Sequence, residues 1–373
     1  MRFPSVLGVF SGCGGLDFGF KNAGFNLKWS NELVPSFAAS YEDLCGTQSI
    51  ASDFWEIFDK IPSADVIVGG PPCQSFSLVG KRIEDDPRGR LVGGFVELIR
   101  LKKPRAFLME NVAGLSASRL NGMRLSEHLQ NEFTEMGYSV LMQRVLASDY
   151  FVPQKRNRLI VIGVLDPIGS NALISPEKFS DRLHQRTGCR LSSNTISVKE
   201  ALDDLPNPSP ESVEPIPYKD IPETEYSKFV RLGNGDCVSL QVMPTMSKLD
   251  REFVKHIPPG GNYEDIPDSL STTRIKKFKA SGGRTTTYGR LAPDKPAYTI
   301  NTYFNRPNVG ANYHYSQPRL ITVREALRLQ SFPDWFSPVF RNQRELHTQI
   351  GNAVPPLLAE ALAHSVKSML YGD

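Results

Sequence analysis

A cysteine at the end of a proline pair is the residue in this chain best placed to do covalent chemistry. Cys73 stands in Gly69-Gly70-Pro71-Pro72-Cys73-Gln74-Ser75, directly after the apolar run Asp65-Val66-Ile67-Val68. Consecutive prolines stiffen the backbone and fix where the next side chain emerges. A cysteine taken alone is more often a small buried hydrophobe than a nucleophile, but its neighbours here are small or polar. Glu110-Asn111-Val112 follows the run Arg105-Ala106-Phe107-Leu108-Met109 in the same manner. That placement sets a carboxyl group at the same sheet edge as the thiol. Gln154-Lys155-Arg156-Asn157-Arg158 precedes a further apolar run, Leu159 to Ile162. In extended chain Gln154, Arg156 and Arg158 share a face. Their plain reading is a basic edge that resists strand pairing. Their chemical reading is positive charge near a thiol, which favours the reactive thiolate at neutral pH.

A second group of residues could hold an adenosine-bearing ligand. Val6-Leu7-Gly8-Val9 runs into Phe10-Ser11-Gly12-Cys13-Gly14-Gly15-Leu16-Asp17. Glycines at a strand-to-helix turn let backbone approach a ligand closely. The spacing is not the G-x-G-x-x-G of a dinucleotide site. Glu32 follows the next strand-like stretch, where a carboxylate can bind ribose hydroxyls, and Asp53 follows Ile50, where it can accept from an adenine amino group. Singly, each acid reads as a solvated surface charge. Together with the turn, they form the pattern of an adenosine pocket.

The elements that must position these residues alternate strand and helix through the first 166 residues. Strands are expected at Val6–Phe10, Phe25–Ser30, Asp65–Val68, Arg105–Met109 and Leu159–Ile162. Helices are expected at Asp17–Ala23, from Leu33, across Phe95–Leu101 and across Met123–Met136. This alternation predicts an α/β fold with a mostly parallel, doubly wound sheet covered on both faces, whose ligands lie beyond the carboxyl ends of the strands. From Asp166-Pro167 the texture changes to Pro, Gly, Ser and Thr with weak periodicity, and 167–318 reads as a second, smaller, irregular domain. Thr322 is placed as the cap of a helix to Gln330, and Pro355 opens a closing amphipathic helix. The segment 319–373 therefore returns to regular structure.

The chain has 373 residues, with 40% hydrophobic and 22% charged residues and a formal net charge of +3. These values suit a folded two-lobed protein and permit, without requiring, a polyanionic partner. None of the five cysteines forms a C-x-x-C pair, and the six histidines fall outside the reactive blocks. A zinc centre, a disulfide framework and a histidine triad are disfavoured. No signal core or membrane-length apolar stretch is apparent, so a cytoplasmic protein is expected.

In their order along the chain, these blocks resemble the DNA cytosine-C5 methyltransferase family over essentially the whole length. To those already quoted are added Arg319-Leu320-Ile321-Thr322-Val323-Arg324-Glu325-Ala326, Leu329-Gln330-Ser331-Phe332-Pro333-Asp334 and Gln349-Ile350-Gly351-Asn352-Ala353-Val354-Pro355. The resemblance implies a Rossmann-like catalytic domain (1–166), a target-recognition domain (167–318) and a C-terminal segment (319–373) that completes the first. It implies S-adenosylmethionine as methyl donor and no metal. Phe10, Ser11, Gly12, Gly14, Gly15 and Leu16 would form the donor turn. Glu32, Asp53 and Phe54 would hold its nucleoside, and Pro72, Asn352 and Val354 would finish the pocket. Cys73 would be the nucleophile, Glu110 would hold the N3 edge of the target base, Arg158 would lie near its O2, and Arg156 would support them.

The implied chemistry explains these residue types. A thiolate added to C6 of cytosine makes C5 nucleophilic enough to take a methyl group, and loss of the C5 proton expels the sulfur. The base must first leave the duplex. Residues 81–94 read as a glycine-rich loop that closes over DNA. Gln74, Lys81, Arg88, Arg284, Arg290 and Thr299 are the expected DNA contacts, the last three lying in or near a basic stretch from Arg274 to Arg306. Val79 and Phe151 depart from the small polar residue and the glycine common at those family positions. The expected partner is double-stranded DNA, with a restriction endonuclease of the same site acting without stable complex, and a monomer. An RNA-methylating branch of the family, a non-enzymatic DNA-binding module and a nucleotide-dependent oxidoreductase are the alternatives.

Overall fold

The structure is a computed structural model that describes residues 3–72, 89–117, 119–120, 123–192, 195–210 and 214–372. Residues Cys73, Gln74, Lys81 and Arg88 lie outside the described residues. Two compact units form: one from 1–146, 157–179 and 353–373, the other from 147–156 and 180–352. These contact boundaries differ from the sequence boundaries at 166 and 318. Residues 167–179 cluster with the first unit, and 319–352 with the second.

The first unit is built on seven strands: β1 (Ser5–Val9), β2 (Asn26–Glu32), β3 (Ser49–Ala51), β4 (Val66–Gly69), β5 (Ala106–Val112), β6 (Ser139–Leu146) and β7 (Asn157–Val164). Their order is β3-β2-β1-β4-β5-β7-β6. The pairs among β1 to β5 are parallel, while β7 runs antiparallel to both β5 and β6. The expected mostly parallel α/β sheet is present, with one reversed strand. Apolar β-branched runs buried on both faces make the central strands: Val66, Ile67 and Val68 are all fully buried, as befits a sheet covered on each side.

One face carries Leu7, Val9, Ile67, Phe107, Met109, Leu159 and Val161. These residues form a single core with Phe95, Leu98, Leu129 and Phe133. They come from helices α3 (Gly89–Lys102) and α4 (Leu125–Glu135). The reading of 81–94 as loop is corrected for 89–94, which are helical. Gly94 belongs in that helix because a Cβ there would meet Phe54 at 2.7 Å and Trp55 at 2.9 Å. Helices α1 (Gly15–Asn22), α2 (Pro35–Cys45) and the C-terminal α5 (Pro356–Tyr371) complete the unit. Gly19 of α1 allows α5 so close that a Cβ would fall 2.4 Å from Ala359 Cβ.

The second unit is irregular, as its texture predicts, with short helices and two-residue strand pairs. Thr322 caps the helix Val323–Leu329 in a reciprocal box with Glu325. Polar pairing carries much of its interior. Arg328, fully buried, donates from Nε to Asp334 at 3.0 Å and from its terminal nitrogens to Asp204 at 3.0 Å and to the Ala201 carbonyl at 3.0 Å. Tyr218 donates to Asp334 at 2.7 Å. Burial alone would raise the Asp334 carboxyl, but Arg328 and Arg324 beside it hold it below the ordinary carboxylate range. Removing one partner from such a set strands the others without compensation. Arg328→Met should therefore destabilise the second unit by about 3–5 kcal/mol, read as an earlier urea transition of the full chain. An unchanged midpoint would show that the pair contributes nothing net.

Candidate active site

Strand register builds the site. Asn31, Val9, Gly69 and Met109 pair side by side across β2, β1, β4 and β5. The next residue along each strand is Glu32, Phe10, Gly70 and Glu110. Four segments far apart in sequence thus deliver their candidate residues to one row at the carboxyl edge of the parallel strands, where α/β sheets bind ligands.

At the expected donor turn the chain bends sharply after β1. Phe10 has φ 55°, Gly12 φ 56° and Gly14 φ 91°. A Cβ on Gly14 would press on Cys45 Sγ and Tyr41 at 2.9 Å, whereas one on Gly12 would meet nothing within 4 Å. Gly12 therefore faces open space, and Gly14 is needed for packing against α2. Ser11 N donates to the Asn31 carbonyl at 3.1 Å, and Gly14 N donates to the Ser11 carbonyl at 2.9 Å. Gly15 and Leu16, both buried, open α1. Glu32 accepts from Gly12 N at 2.9 Å and from Val34 N at 3.0 Å. Burial pushes its carboxyl upward against those bonds. Phe10 packs on Phe54 with ring centroids 4.7 Å apart. Asp53 caps the short helix Phe54–Ile57, accepting from Trp55 N at 2.8 Å. Asn31 was not among the expected site residues, yet its amide holds the carbonyls of Ile50 and Ser52 at 3.0 and 2.9 Å and so places the Asp53 segment. Val354 is buried in the first unit.

On the reactive side Glu110 and Arg158 form an ion pair, Nε to Oε1, at 2.7 Å, with side chains only 10% and 12% exposed. Register explains it: β7 runs against β5, so Arg158 pairs with Val112, two residues past Glu110. Arg158 also donates to the Asn157 carbonyl at 2.8 Å. A Cβ on Gly70 would lie 3.6 Å from Glu110 Oε2. Asn111, buried, donates its amide to the Pro71 carbonyl at 2.9 Å. The segment Gly70–Pro72 that leads into Cys73 is thereby pinned beside the Glu110–Arg158 pair. Asn111 was also unassigned from sequence, although its place directly after Glu110 was a usable signal.

Other expected site residues belong to the second unit. Arg156 is 1% exposed and spends its guanidinium on backbone carbonyls: Ile300 at 3.1 Å, Gly351 at 3.0 Å and Asn352 at 3.3 Å. That is the geometry of a brace. Arg290 likewise donates to the carbonyls of His314 at 3.0 Å and Ile257 at 2.8 Å. Thr299 donates to the Lys155 carbonyl at 2.9 Å. Arg284 and Asn352 are exposed. Phe151 has φ 63°, a conformation that favours glycine and gives a physical reason for the glycine common at that family position. No cluster of three or more potential metal ligands occurs among the described residues.

The sequence matches the family described as C-5 cytosine-specific DNA methylase over residues 5–368. It is 30% identical to type II methyltransferase M.NgoFVII of Neisseria gonorrhoeae, over 97% of this chain and 86% of that protein. It is 31% identical to type II methyltransferase M.DdeI of Desulfomicrobium norvegicum, over 97% of this chain and 88% of that protein. Among solved structures, S. pombe Dnmt2 methyltransferase shares the fold, with a TM-score of 0.61 at 15% identity, covering 98% of both chains.

The buried acid beneath the donor turn sets a pH dependence. Asp17 accepts from Tyr41 at 3.2 Å, while its other oxygen has no hydrogen-bond partner among the described residues. Burial pushes its carboxyl up to about 7. The folded state then keeps a proton that the unfolded chain releases near the ordinary aspartate value. The Asp17 contribution to stability therefore falls as pH rises from about 4 to about 7 and levels off above. Asp17→Asn should remove that fall and raise the apparent Tm above about pH 7 by about 2 °C or more. Parallel Tm–pH curves for wild type and variant would refute this account of Asp17.

Proposed function

Because the chain belongs to the C-5 cytosine-specific DNA methylase family and is a DNA (cytosine-5-)-methyltransferase, we propose that it methylates C5 of one specific cytosine in double-stranded DNA. The donor in this reading is S-adenosylmethionine, and catalysis runs through a transient bond between Cys73 and C6 of a flipped-out base. The observation that supports it most is the Glu110–Arg158 pair beside the Gly70–Pro71 segment that leads to Cys73.

The residues on the donor side fit an adenosine-bearing ligand: open space over Gly12, the Phe10–Phe54 aromatic pair and the carboxyl of Glu32 lie together. Glu32 would take the ribose hydroxyls, Asp53 the adenine amino group, and Ser11, Gly12 and Gly14 would present backbone. When bound, the donor supplies an electrophilic methyl group on a sulfonium sulfur. Phe10 and Phe54 would keep water from that region, and Pro72, Val354 and Asn352 would border it.

Cys73 would attack C6 as thiolate. Electron density would move from the C5–C6 double bond toward C5 and N3. Glu110, in its acid form once the base is bound, would donate a proton at N3 and take it back as the ring is restored, and Arg158, beside Glu110, would both orient that carboxyl and reach the base O2. C5 would then form the bond to the methyl carbon as the methyl–sulfonium bond breaks, its electron pair leaving with the sulfur of S-adenosylhomocysteine. Loss of the C5 proton to a base would restore the double bond and expel the Cys73 sulfur. The base would enter this site unstacked, since C6 is unreachable within a duplex.

The division of labour in this proposal gives chemistry to 1–166 with 319–373 and DNA recognition to 167–318. Gln74, Lys81, Arg88, Arg284 and Thr299 would contact DNA, while Arg290 has its guanidinium already occupied by carbonyls. Since the similar proteins are named type II methyltransferases, we infer the modification enzyme of a restriction–modification system. A nuclease of the same site would act separately, and this enzyme would work as a monomer in the cytoplasm. No described helix is long and apolar enough to cross a membrane.

Bisulfite sequencing of DNA from cells expressing the chain should show one methylated cytosine context, and Cys73→Ala should lower methyl incorporation by at least about 10³-fold. Duplexes bearing 5-fluorocytosine at the target should yield a denaturation-resistant protein–DNA adduct with wild type and none with Cys73→Ala. Methylation of transfer RNA but not duplex DNA, or full turnover by the alanine variant, would overturn the proposal.

A further inference from the structure

Four stretches far apart in sequence meet in one buried polar cluster of the second unit. Ala297–Tyr298 pairs as a parallel strand with Gln154–Lys155. Gln154, fully buried, accepts from Ile300 N at 2.8 Å and donates to the Leu329 carbonyl at 3.0 Å and to Gln330 Oε1 at 3.1 Å. Gln330 in turn donates to the Ile350 carbonyl. Arg156 then spans the cluster, one terminal nitrogen on the Ile300 carbonyl and the other on those of Gly351 and Asn352. The approach of the two carbonyl-bearing segments is close enough to dictate sequence. A Cβ on Gly351 would lie 2.4 Å from both the Asn301 carbonyl carbon and Thr302 N. Phe304 and His347 add a ring contact between the same two segments, with centroids 4.7 Å apart.

The two ends of this cluster carry the two kinds of expected ligand contact. Thr299, next to Ile300, is a proposed DNA contact, and Asn352 is a proposed donor contact. A planar guanidinium with five donors in fixed geometry can hold two backbone segments at a set spacing. An ammonium on a flexible stem is a point donor and cannot hold both in the same way. A rigid, desolvated group thus fixes the Ile300 carbonyl relative to those of Gly351 and Asn352.

We propose that Arg156 is a positioning residue that couples DNA binding to donor binding, by tying the recognition strand at Ile300 to Gly351–Asn352. The inference rests on the assignment of Thr299 and Asn352 in the proposed function. The two ligands then favour each other through one arrangement of the cluster, and linkage makes the effect equal in both directions. Arg156 acts on neither ligand directly in this account, in contrast to Arg158.

The test is calorimetric titration of the full chain with S-adenosylhomocysteine, alone and with a saturating duplex carrying the cytosine context found by bisulfite sequencing. In wild type the duplex should tighten S-adenosylhomocysteine binding by about fivefold or more, and S-adenosylhomocysteine should tighten duplex binding by the same factor. Arg156→Lys should bring that factor below about twofold while its circular dichroism stays native. Should Arg156→Lys fail to fold, Phe304→Leu, which removes the ring contact with His347 between the same two segments, should still lower the factor. A folded variant with the wild-type factor, or a wild type that binds both ligands without coupling, overturns the inference alone. A wild type that binds neither ligand overturns the functional reading and this inference with it.

Discussion

Backbone hydrogen bonding between parallel strands is the constraint on which the site depends. Parallel pairing fixes which residue stands beside which, and in β2, β1, β4 and β5 it sets Glu32, Phe10, Gly70 and Glu110 in a row. A slip of one residue in any strand would turn its candidate side chain to the opposite face. The apolar burial that prevents such a slip is complete at Val6, Leu7 and Val9 and at Val66, Ile67 and Val68. The chemistry is polar, but its geometry is held by the least polar part of the chain. The reversed β7 adds what a parallel strand could not. Its beginning, rather than its end, lies at that edge, so Arg158 enters the row from the opposite chain direction and meets Glu110.

Buried polar groups are accommodated in two ways. In the second unit, carboxylates and guanidinium groups are matched. Arg319 donates to both oxygens of Glu325, and Gln241 donates to Glu325 as well. Burial would raise Glu325, yet Arg319 and His314 beside it bring its carboxyl down to about 2. Such pairing gives specificity to an interior with few long elements, at the cost of desolvation. In the first unit, below the expected donor turn, Asp17, Cys13 and Cys45 are buried, and desolvation outweighs the groups that would lower them, Lys21 near Cys45 included. Burial drives Cys13 up to about 12 and Cys45 well above the ordinary thiol range. Burial keeps these two sulfurs in the unreactive thiol form, and the proposed mechanism places the reactive sulfur at Cys73 instead.

The sequence exposed the alternation of strand and helix, the sheet class, the glycine turn and the capping residue Thr322, because each is a local pattern of burial or backbone preference. It did not expose the direction of β7, since an apolar run such as Leu159–Ile162 reads the same either way. It missed β6, whose residues are mostly half-buried or exposed at the sheet edge, and so lack a clean alternation. Arg156 and Arg158 show the limit most clearly. They are the same residue type, two positions apart, and alternation assigns them one face. Their partners diverge nonetheless: Glu110 for Arg158, and Ile300 with Gly351 and Asn352 for Arg156. The Arg156 partners are backbone carbonyls more than a hundred residues away, and carbonyls leave no mark in a sequence. Gly351 did leave one, as the absence of a side chain where two backbones nearly touch.

The positive φ of Phe10 argues for a function that a glycine would not serve. A non-glycine residue in that region costs of order 1–3 kcal/mol, and glycine stands at two of the next four positions of the same turn. If only the turn mattered, glycine at position 10 would give it without strain. The chain keeps an aromatic ring there, and the ring packs on Phe54, which also packs on Trp55 and Phe58. The turn directs Ser11 N to the Asn31 carbonyl and Gly12 N to Glu32, so the same distortion sets both the ring and the carboxyl. The strained residue therefore joins the aromatic and acidic halves of the proposed donor site, and each half is placed by the conformation that makes the other possible.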